Sequence, residues 1–422
     1  MSIIDRIKVW GANNTPTVFA ILRNIKPILI IEEFAIITRF NDVQEALSRP
    51  DALAVTYAER MGVITQGGNF FLGMNNTPTY TRDVSNMRIA VRRSDVDEIV
   101  APLVEKLSNN IVAESNGKMD IVAELTSVVP AQFSAQYLGV PGPSHQELFE
   151  WTSNMFQYLF FPDNPKEVDQ AAVINGAKAC DYLDQLVAER KQKYQQGDKK
   201  DDIIGRCLEL QSAGTPGMND IDIRNNLIGI IIGLVPTTSK SAVLFLDYLL
   251  DHPELLAGAQ KAALADDDEV LRKYMLESLR FNSFGAGVFR VAAEDYVVAS
   301  GAFRSKKIRK GTKILVATQS AMLDGRELKK PKQFRLDRPD YHYMHFGYGM
   351  HTCFGKYINR VQIPLIVKSL LRCKNLRRAP GAAGKVEYKQ PFPIHFNVEF
   401  DVQETAISGL KNFDKKVQAK VV

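Results

Sequence analysis

The chain has 422 residues, of which 45% are hydrophobic and 24% are charged, proportions that are ordinary for a globular protein with a sizeable apolar core. Its 53 basic and 48 acidic residues give a net charge of +5, which is too small to indicate binding to nucleic acid. The N-terminal stretch MSIIDRIKVWGANNTP has no apolar core of signal-peptide length, and the four cysteines form no CxxC pair. We therefore expect a protein of the reducing cytoplasm.

The predicted elements are mostly helices, with a minor β portion at both ends of the chain. The first 75 residues contain short β-type runs, as in PILIIEEFAIITRF. From about 78 to 260, apolar residues recur at i, i+3 and i+4, which predicts amphipathic helices in VDEIVAPLVEKLSNNIVAES, AAVINGAKACDYLDQLVAERKQKY and DDIIGRCLELQS. QQGDKKDD and SAGTPGMND predict solvated loops, and Asp220 or Asp222 is expected to cap the apolar helix that follows.

The second half of the chain continues this pattern. Residues 254–281 predict a helix, and DYVVASGAFRSKKIRKGTKILVAT predicts a pair of short strands around turns. KYINRVQIPLIVKSLLRC predicts one more helix, and a hairpin-like stretch ends near IHFNVEF. Residues 402–422 form a charged tail.

The most apolar window is LIGIIIGLVPTTSKSAVLFLDYLL, at residues 227–250. It is long enough to cross a membrane, but Pro236, Lys240 and Asp247 interrupt it, so we expect a helix buried in a soluble core and no membrane anchor. Proline inside a helix removes a hydrogen bond and costs about 3 kcal/mol. The stretch is either a plain break, with Thr237 and Thr238 as the N-cap of a second helix, or a gap that serves a function.

The stretch HFGYGMHTCFG, at residues 345–355, concentrates glycines around a single cysteine, Cys353. The glycines allow tight turns, and a predicted helix starts directly after the cysteine, so that N–H groups point back at the sulfur. Such donors lower a thiol pKa and favour a thiolate that binds a metal. Two other interpretations are a buried, inert thiol and a zinc site. The zinc site would be built from His342, His345, His351 and Cys353.

This stretch resembles the haem-ligand loop of the cytochromes P450, F-G-x-G-x-H-x-C-x-G. The matching residues are Phe346, Gly347, Gly349, His351, Cys353 and Gly355. The resemblance implies a bound haem b (iron protoporphyrin IX), with Cys353 as the thiolate ligand of the iron and His351 facing a haem propionate. It also counts Phe346 and Gly347 among the cofactor-binding residues.

The resemblance further implies a fold that is mainly α with a minor β portion. In this cytochrome P450 fold the haem lies between a long distal helix and the helix that follows the cysteine loop. We expect a single catalytic domain over residues 1–401, followed by the charged tail.

Other family positions are found in the expected order along the chain. ESLR resembles the family's E-x-x-R, with Glu277 and Arg280, and FRLDRPD supplies Arg338 as the third member of a buried structural network. Alone, a glutamate and an arginine at i, i+3 more often form a surface ion pair. Arg290 matches the arginine that usually pairs with a propionate. We expect loss of the network to abolish folding or haem uptake.

The family's H-x-x-x-R, which lies over the haem edge, is replaced in this chain. Tyr80 stands in the place of the histidine and Val84 in that of the arginine. Arg82 or Arg88 is the substitute that the resemblance implies for the missing propionate contact, and we favour Arg88.

In the family, the distal helix carries [A/G]-G-x-[D/E]-T-[T/S]. Gly233, Thr237 and Thr238 match this pattern, whereas Leu234 replaces the second glycine and Pro236 replaces the acid. The resemblance implies that Thr237 or Thr238 orients bound oxygen. The acid that helps to deliver protons is lost, so a threonine hydroxyl with ordered water must suffice, or the oxidant arrives already reduced.

An apolar substrate pocket is expected by family position. Its candidate residues are Phe70, Phe71, Phe156, Phe160, Ile231, Val235, Val288 and Phe392. At such spacings aromatic residues are more often plain core. Together they favour a hydrophobic small molecule, such as a fatty acyl chain or a terpenoid.

The resemblance implies a monomeric, cytoplasmic monooxygenase that takes electrons from a separate ferredoxin or flavodoxin. Basic residues that follow the cysteine loop fit either a docking surface for that acidic partner or a solvated helix face. They are Lys356, Arg360, Lys368, Arg372 and Lys374. Two alternatives on the same fold are a peroxide-driven peroxygenase and an isomerase of fatty-acid hydroperoxides. A third is a catalytically silent haem sensor.

Overall fold

The computed structural model describes residues 14–161 and 164–401, so the charged tail, 402–422, lies outside the described residues. The chain folds into two compact units. The first takes in the chain up to Val91, Asn154–Ile232 and Leu276–Lys356. The second takes in Arg92–Ser153, Gly233–Met275 and the chain from Tyr357 onwards. The single domain expected over residues 1–401 stays a prediction.

Helices dominate the described residues, as the periodicity predicts. They are α1 (Thr15–Ile25), α2 (Phe40–Leu47), α3 (Ala58–Ile64), α4 (Pro78–Ala90), α5 (Ala101–Glu114), α6 (Val128–Phe133), α7 (His145–Phe160), α8 (Lys166–Gln195), α9 (Ile203–Ser212), α10 (Asp220–Leu250), α11 (Pro253–Leu264), α12 (Asp268–Phe281), α13 (Thr318–Ala321) and α14 (Lys356–Leu371). Short 3-10 turns cover Phe71–Gly73, Asp340–His342 and Gly381–Gly384, and π-helical segments cover Val96–Val100, Val122–Thr126 and Ser134–Leu138. The helix predicted over 254–281 is in fact two helices, α11 and α12.

The long apolar helix α10 runs through Pro236 without ending, so a plain break capped by the two threonines is wrong. Its N-cap also differs from the prediction. The N–H of Asp222 donates to Oδ1 of Asn219 at 2.9 Å, so Asn219 caps the helix rather than Asp220 or Asp222. By length and composition α10 could cross a membrane, but 78% of its most apolar window is buried inside the protein, as in a core helix.

The first unit contains a five-stranded sheet in the order β1-β2-β8-β5-β3. Its strands are β1 (Ile28–Ile31), β2 (Phe34–Ile37), β3 (Leu53–Ala54), β5 (Val288–Ala292) and β8 (Lys313–Val316). β2 and β8 are parallel, and the other neighbours are antiparallel. A separate pair in this unit joins β6 (Tyr296–Val298) to β7 (Lys306–Ile308). The stretch predicted as two strands, 295–318, therefore holds three, and the third belongs to the larger sheet.

The second unit has a three-stranded sheet, β4-β12-β9, and a hairpin, β10-β11. The sheet is built from β4 (Lys118–Asp120), β9 (Lys374–Arg378) and β12 (Asn397–Asp401). The hairpin pairs β10 (Glu387–Lys389) with β11 (Phe392–His395), which is the hairpin predicted near the end of the chain.

A fully buried carboxylate, that of Glu277, joins α12 to the irregular segment that precedes the cysteine loop. Nε and Nη2 of Arg280 donate to its two oxygens at 2.9 and 2.8 Å. Nε of Arg338 lies 3.1 Å from Oε1, which is an ion-pair distance, and the hydroxyl of Tyr343 donates to the same oxygen at 2.8 Å. The backbone N–H of Arg335 donates to Oε2 at 3.0 Å.

The two guanidiniums also tie down the backbone of the irregular segment. Arg280 donates to the carbonyl oxygens of Pro331 and Gln333, and Arg338 donates to those of Lys329 and Lys330. These carbonyls belong to a stretch without helix or strand, where side-chain donors take the place of regular backbone partners. The segment is therefore held by charge-assisted hydrogen bonds.

Replacing Glu277 with Gln should destabilise the fold, because Arg280 and Arg338 would keep their buried charges without a counter-charge. Breaking a buried ion pair in this way costs about 3–5 kcal/mol. We expect the free energy of unfolding, measured by urea denaturation, to fall by about that amount.

Glu269→Gln is the matched control, since Glu269 and Arg272 form another i, i+3 pair on α12, at 2.6 Å, in which the glutamate is 60% exposed. The control should lose less than about 1 kcal/mol. Equal losses in the two variants would show that the Glu277 network does not brace the fold.

Candidate active site

The cysteine loop is closed by its own backbone. The N–H of Cys353 donates to the carbonyl oxygen of Phe346 at 2.8 Å. Gly347 and Gly349 both have a φ of 71°, in the left-handed region that glycine enters without strain. At Gly349 a Cβ atom would also lie 2.5 Å from the carbonyl oxygen of Leu47. Glycine is therefore required at both positions.

The thiol of Cys353 is half-buried, three residues before α14 begins. A hydrogen bond from the N–H of Gly355 and the charge of Lys356 both lower its pKa, as expected. Burial outweighs them, so the pKa of the thiol is raised. A metal cation on the sulfur would reverse this balance, because it stabilises the thiolate directly. Cys180 and Cys207 are fully buried and behave as small hydrophobes.

The alternative zinc site is wrong. Within 14–161 and 164–401, no three His, Cys, Asp or Glu side chains are grouped so as to hold a metal ion. The imidazoles bond to backbone carbonyls instead: Nε2 of His345 lies 2.9 Å from the oxygen of Leu276, and Nε2 of His351 lies 2.8 Å from that of Met74.

Arg290, in the middle of β5, is a buried cation that has no counter-ion among the residues the structure describes. It is 6% exposed, and its hydrogen bond goes to the carbonyl oxygen of Phe289, at 2.8 Å. Burial lowers its pKa. Burial and the charge of Arg290 also lower the pKa of His351, whose Nε2 is engaged with Met74.

Burial therefore disfavours the charged form of each of these two neighbouring groups, and an anion beside them would raise both pKa values. A haem propionate is such an anion, so these residues fit a haem. Together with the half-buried thiol of Cys353, they are the residues that would hold it.

The residues in place of the family's H-x-x-x-R lie on α4. The hydroxyl of Tyr80 donates to the carbonyl oxygen of Met350 at 2.8 Å, within the cysteine loop. Arg82 is paired with Asp83 at 2.7 Å. Arg88 is exposed, and its charge lowers the pKa of Tyr80 against the raising effect of burial. A propionate contact by Arg88 stays a prediction.

The stretch of α10 around Pro236 has one open face. Gly233 is exposed although its helix is largely buried, and a Cβ atom added to it would meet no atom within 4 Å. Thr237, one turn further, is partly exposed, and its hydroxyl donates to the carbonyl oxygen of Gly233 at 2.5 Å. Thr238 is fully buried and donates to Oδ1 of Asn359, on α14, at 3.2 Å. Thr238 therefore ties two helices together, while Thr237 lies on the open face.

The predicted pocket aromatics form two contacting pairs in the first unit. The ring centroids of Phe70 and Phe71 are 4.2 Å apart, and those of Phe156 and Phe160 are 4.5 Å apart. Phe70 packs on Gly229 of α10, where a Cβ atom would lie 2.1 Å from its ring. The first pair is buried and the second pair is partly buried.

Three aromatic neighbours of these pairs were missed by the sequence analysis. Phe354, directly after Cys353, lies 5.0 Å from the ring of Phe71. The motif leaves the residue between its cysteine and its last glycine unspecified, so only the position of Phe354 beside Cys353 could have indicated that it lies at the site. Phe284 lies 6.0 Å from Phe156, and Tyr57 lies 4.7 Å from Phe160.

The remaining pocket candidates are less informative. Val288 is partly buried and packs against the core of the five-stranded sheet, as plain core would. Ile231, Val235 and Phe392 are buried, with at most 3% exposure.

Two of the basic residues after the cysteine loop are engaged in ion pairs within the protein. Lys368 is buried, and its ammonium lies 3.3, 2.8 and 2.6 Å from carboxylates of Glu105, Asp266 and Asp268. Arg372 pairs with Glu105 at 3.0 Å and also with Asp266. Their positive charge holds α14 within its own unit.

Comparisons with known proteins identify the family of the chain. A family model described as Cytochrome P450 matches residues 33–391. The "Bifunctional dioxygenase (DOX)-epoxy alcohol synthase (EAS)" of Pyricularia oryzae is 24% identical over 404 residues, which are 86% of this chain. The chain spans about a third of the length of that relative, 34%.

Two further relatives are covered over most of their length. The "Mycinamicin IV hydroxylase/epoxidase" of Micromonospora griseorubida is 22% identical, over 83% of each chain. The solved structure of P450BioI in complex with hexadec-9Z-enoic acid ligated acyl carrier protein has a TM-score of 0.76, at 19% identity. It covers 93% of this chain and 100% of that chain.

The solved structure shows a shared fold, which agrees with the predicted mainly helical fold. The family match spans well over half of the chain, and from this it follows that the chain belongs to the cytochrome P450 family, whose members are haem-dependent oxidoreductases.

Proposed function

We propose that the protein is a monooxygenase that binds haem b and oxidises a hydrophobic small molecule of fatty acyl or terpenoid type. The observation that carries this proposal is the half-buried Cys353 thiol in a loop shaped by Gly347 and Gly349. The buried, uncompensated Arg290 supports a haem with propionates. When bound, a thiolate-ligated haem supplies an electron-rich iron that favours cleavage of an O–O bond.

The overall reaction would consume dioxygen, two electrons and two protons, and would convert a C–H bond into C–OH with release of water. Among the distal residues, Thr237 is the one that we assign to orienting oxygen, because its hydroxyl lies on the open face of α10. Thr238 is instead committed to Asn359.

Ordered water would carry the protons that the missing acid no longer supplies. Gln362 lies one turn beyond Asn359 on α14 and is fully buried. In the described part of the chain, neither Oε1 nor Nε2 of its amide has a hydrogen-bond partner. Buried polar groups are normally satisfied, often by water, so this face of α14 supports a hydrated path.

The electrons would come from a separate ferredoxin or flavodoxin. Lys368 is buried among carboxylates and Arg372 is ion-paired, so we assign docking first to Lys356 and Lys374 of the basic residues after the cysteine loop. The substrate class is supported by the paired phenylalanines and by the fatty acyl group in the solved P450BioI complex. We further propose that the protein is a cytoplasmic monomer.

A second candidate is favoured by Pro236, which stands where the family has its acid. An isomerase that converts a fatty-acid hydroperoxide into an epoxy alcohol conserves all atoms and needs no external electrons or protons. A peroxygenase likewise starts from an oxidant that is already reduced. The similarity to a dioxygenase-epoxy alcohol synthase supports the isomerase.

Turnover under two regimes distinguishes these candidates. With ferredoxin, reductase and NAD(P)H, we expect a hydroxylated product from an apolar substrate panel, whereas peroxide or a lipid hydroperoxide alone should give little. The reverse result would establish the second candidate, and no product in either regime would leave a haem sensor. Cys353→Ala is the control, and it should lose the red-shifted Soret band of the carbonyl-bound reduced protein.

Arg290→Leu should weaken haem retention without weakening the apoprotein. A hydrogen bond to a charged group contributes about 1.5–3 kcal/mol, so haem transfer to a scavenging apoprotein should be about 10- to 100-fold faster. The apoprotein should unfold at the same or a higher urea concentration, because a buried charge without a partner has been removed.

The exposed Arg309→Leu is the control for this measurement, and it should leave both values unchanged. An unchanged rate of haem transfer in Arg290→Leu would contradict the assignment of Arg290 to a haem propionate.

Pro236→Asp should raise the fraction of NAD(P)H electrons recovered in product, if loss of the acid limits the reductive reaction. Pro236→Ala is the matched control, because it restores the helical N–H and adds no carboxyl group. We expect coupling to rise in the Asp variant alone. An equal rise in both variants would assign the effect to helix geometry, and no rise in either would count against a limiting proton supply.

A further inference from the structure

The hairpin of β6 and β7 carries a fully exposed aromatic ring at its turn. Phe303 is 110% exposed, the highest value for any large hydrophobic side chain in the described part of the chain. Val297, on β6, is 40% exposed. Single apolar side chains are common on protein surfaces, so the surroundings of this ring decide whether it has a role.

The backbone is held on both sides of Phe303. Ala302 packs against the core of the five-stranded sheet. Nε and Nη2 of Arg304 donate to the two carboxylate oxygens of Asp42, on α2, at 2.9 and 2.6 Å, and that carboxylate is buried. A bidentate pair of this kind fixes the geometry of the turn. The ring therefore projects from an anchored turn and stays exposed.

Most of the net positive charge of the protein lies on the same segment. Residues 294–313, which contain the hairpin, carry six basic and two acidic side chains, a net charge of +4, whereas the whole chain carries +5. The exposed basic residues that follow the turn are Lys306, Lys307, Arg309 and Lys310. Lys307 pairs with Asp295 at 2.8 Å, but among the described residues no ion pair involves Lys306 or Lys310. The hairpin is therefore a basic surface around an exposed ring, on a chain that is otherwise close to neutral.

We propose that this hairpin docks the protein on an anionic lipid surface, with the ring of Phe303 inserted between the headgroups and the basic side chains on the phosphates. Reversible binding of this type needs two contributions, because one apolar group or a few basic charges are not enough alone. The hairpin supplies both at one point, and it requires no membrane-spanning helix. The inference goes beyond the proposed function, since it holds whatever reaction the haem supports. Apolar substrates also partition into lipid, so docking would place the site where they accumulate.

A protein partner matches the same surface less well. A stable protein interface buries about 800 Å² on each side and has a contiguous apolar centre. Within residues 294–313, Val297 is the one other large hydrophobic side chain that is exposed, so such a centre is missing there. A lipid interface is fluid and accommodates a single projecting aromatic ring without a preformed socket.

The test is sedimentation of the haem-loaded, full-length protein with vesicles. One set is phosphatidylcholine, and the other contains about one quarter phosphatidylglycerol, so that the acyl surface is alike and the charge differs. The wild type should bind the anionic vesicles at about 50 mM salt, bind the neutral vesicles at least about 10-fold more weakly, and lose most of its binding at about 500 mM salt.

Two variants separate the contributions of the hairpin. Phe303→Ser removes the ring and should weaken binding to anionic vesicles by about 10-fold. Lys306→Glu combined with Lys310→Glu should weaken it by at least about 10-fold, because each basic residue near an anionic surface contributes about fivefold. Phe303→Trp should retain binding, and its fluorescence emission should shift to the blue when anionic vesicles are added.

Matched controls have the same chemical changes elsewhere. Leu264→Ser removes a side chain that is 64% exposed but lies beside the acidic residues 266–269, and Lys385→Glu combined with Lys389→Glu makes the same change in net charge on another exposed stretch. Both controls should bind vesicles like the wild type.

The proposal would be overturned if the wild type did not bind anionic vesicles, bound both compositions equally, or lost as much binding in the controls as in the hairpin variants. An unshifted emission of Phe303→Trp on bound vesicles would contradict insertion of the ring, and this readout still decides should Phe303→Ser fail to fold. Slower reduction by ferredoxin in the hairpin variants, with vesicle binding unchanged, would assign the surface to a protein partner instead. Since no readout requires turnover, vesicle binding by a protein without monooxygenase activity would refute the proposed function and leave the docking surface standing.

Discussion

The buried carboxylate of Glu277 is the constraint on which the candidate site depends. A loop built from left-handed glycines has little regular structure of its own to hold it in place. Glu277 compensates by binding Arg280 from its own helix and Tyr343 from the segment just before the loop. All of these groups are buried, so each depends on the others for its hydrogen bonds. Removing one leaves the remaining charges and polar groups buried without partners, which destabilises the fold.

The buried charges of this protein fall into two kinds. Glu277 and Lys368 lie among opposite charges, so their burial contributes to the fold. At Arg290 burial instead lowers the pKa of the guanidinium, and its hydrogen bond goes to a backbone carbonyl and not to a carboxylate. The fold keeps this group at a cost to stability, and an anion supplied from outside would offset that cost. This is why we assign a haem propionate to Arg290.

Local patterns predicted the helices and the cysteine loop, because the chemistry of a short segment decides both. They failed where the partner is distant in sequence. In the sequence Lys368 has the pattern of a surface charge, but in the fold it is surrounded by carboxylates that are about 100 and 260 residues away along the chain. The sequence likewise makes Thr238 a candidate catalytic hydroxyl, but in the fold its hydroxyl is hydrogen-bonded to Asn359. The order of the five strands likewise depends on a parallel pairing of β2 with β8 that no turn between them specifies.

Pro236 is the clearest case of tertiary packing overriding a local rule, since α10 continues through it with buried residues on either side. The proline lies at the turn of the helix where a monooxygenase would need protons. Proline has no N–H to donate, and the carbonyl of Ile232, which loses its helical partner, can only accept a hydrogen bond. The hydroxyl of Thr237 donates to the carbonyl oxygen of Gly233. Protons at this turn must then arrive through water or on the substrate itself.

The choice between the two candidate enzymes depends on this proton supply. In a hydroperoxide the oxygen is already reduced, whereas dioxygen still has to be reduced and protonated. The same proline would therefore limit a monooxygenase and leave a hydroperoxide isomerase unaffected. The cysteine loop fits either enzyme equally well, and the distinction between them therefore lies in this one turn of the distal helix.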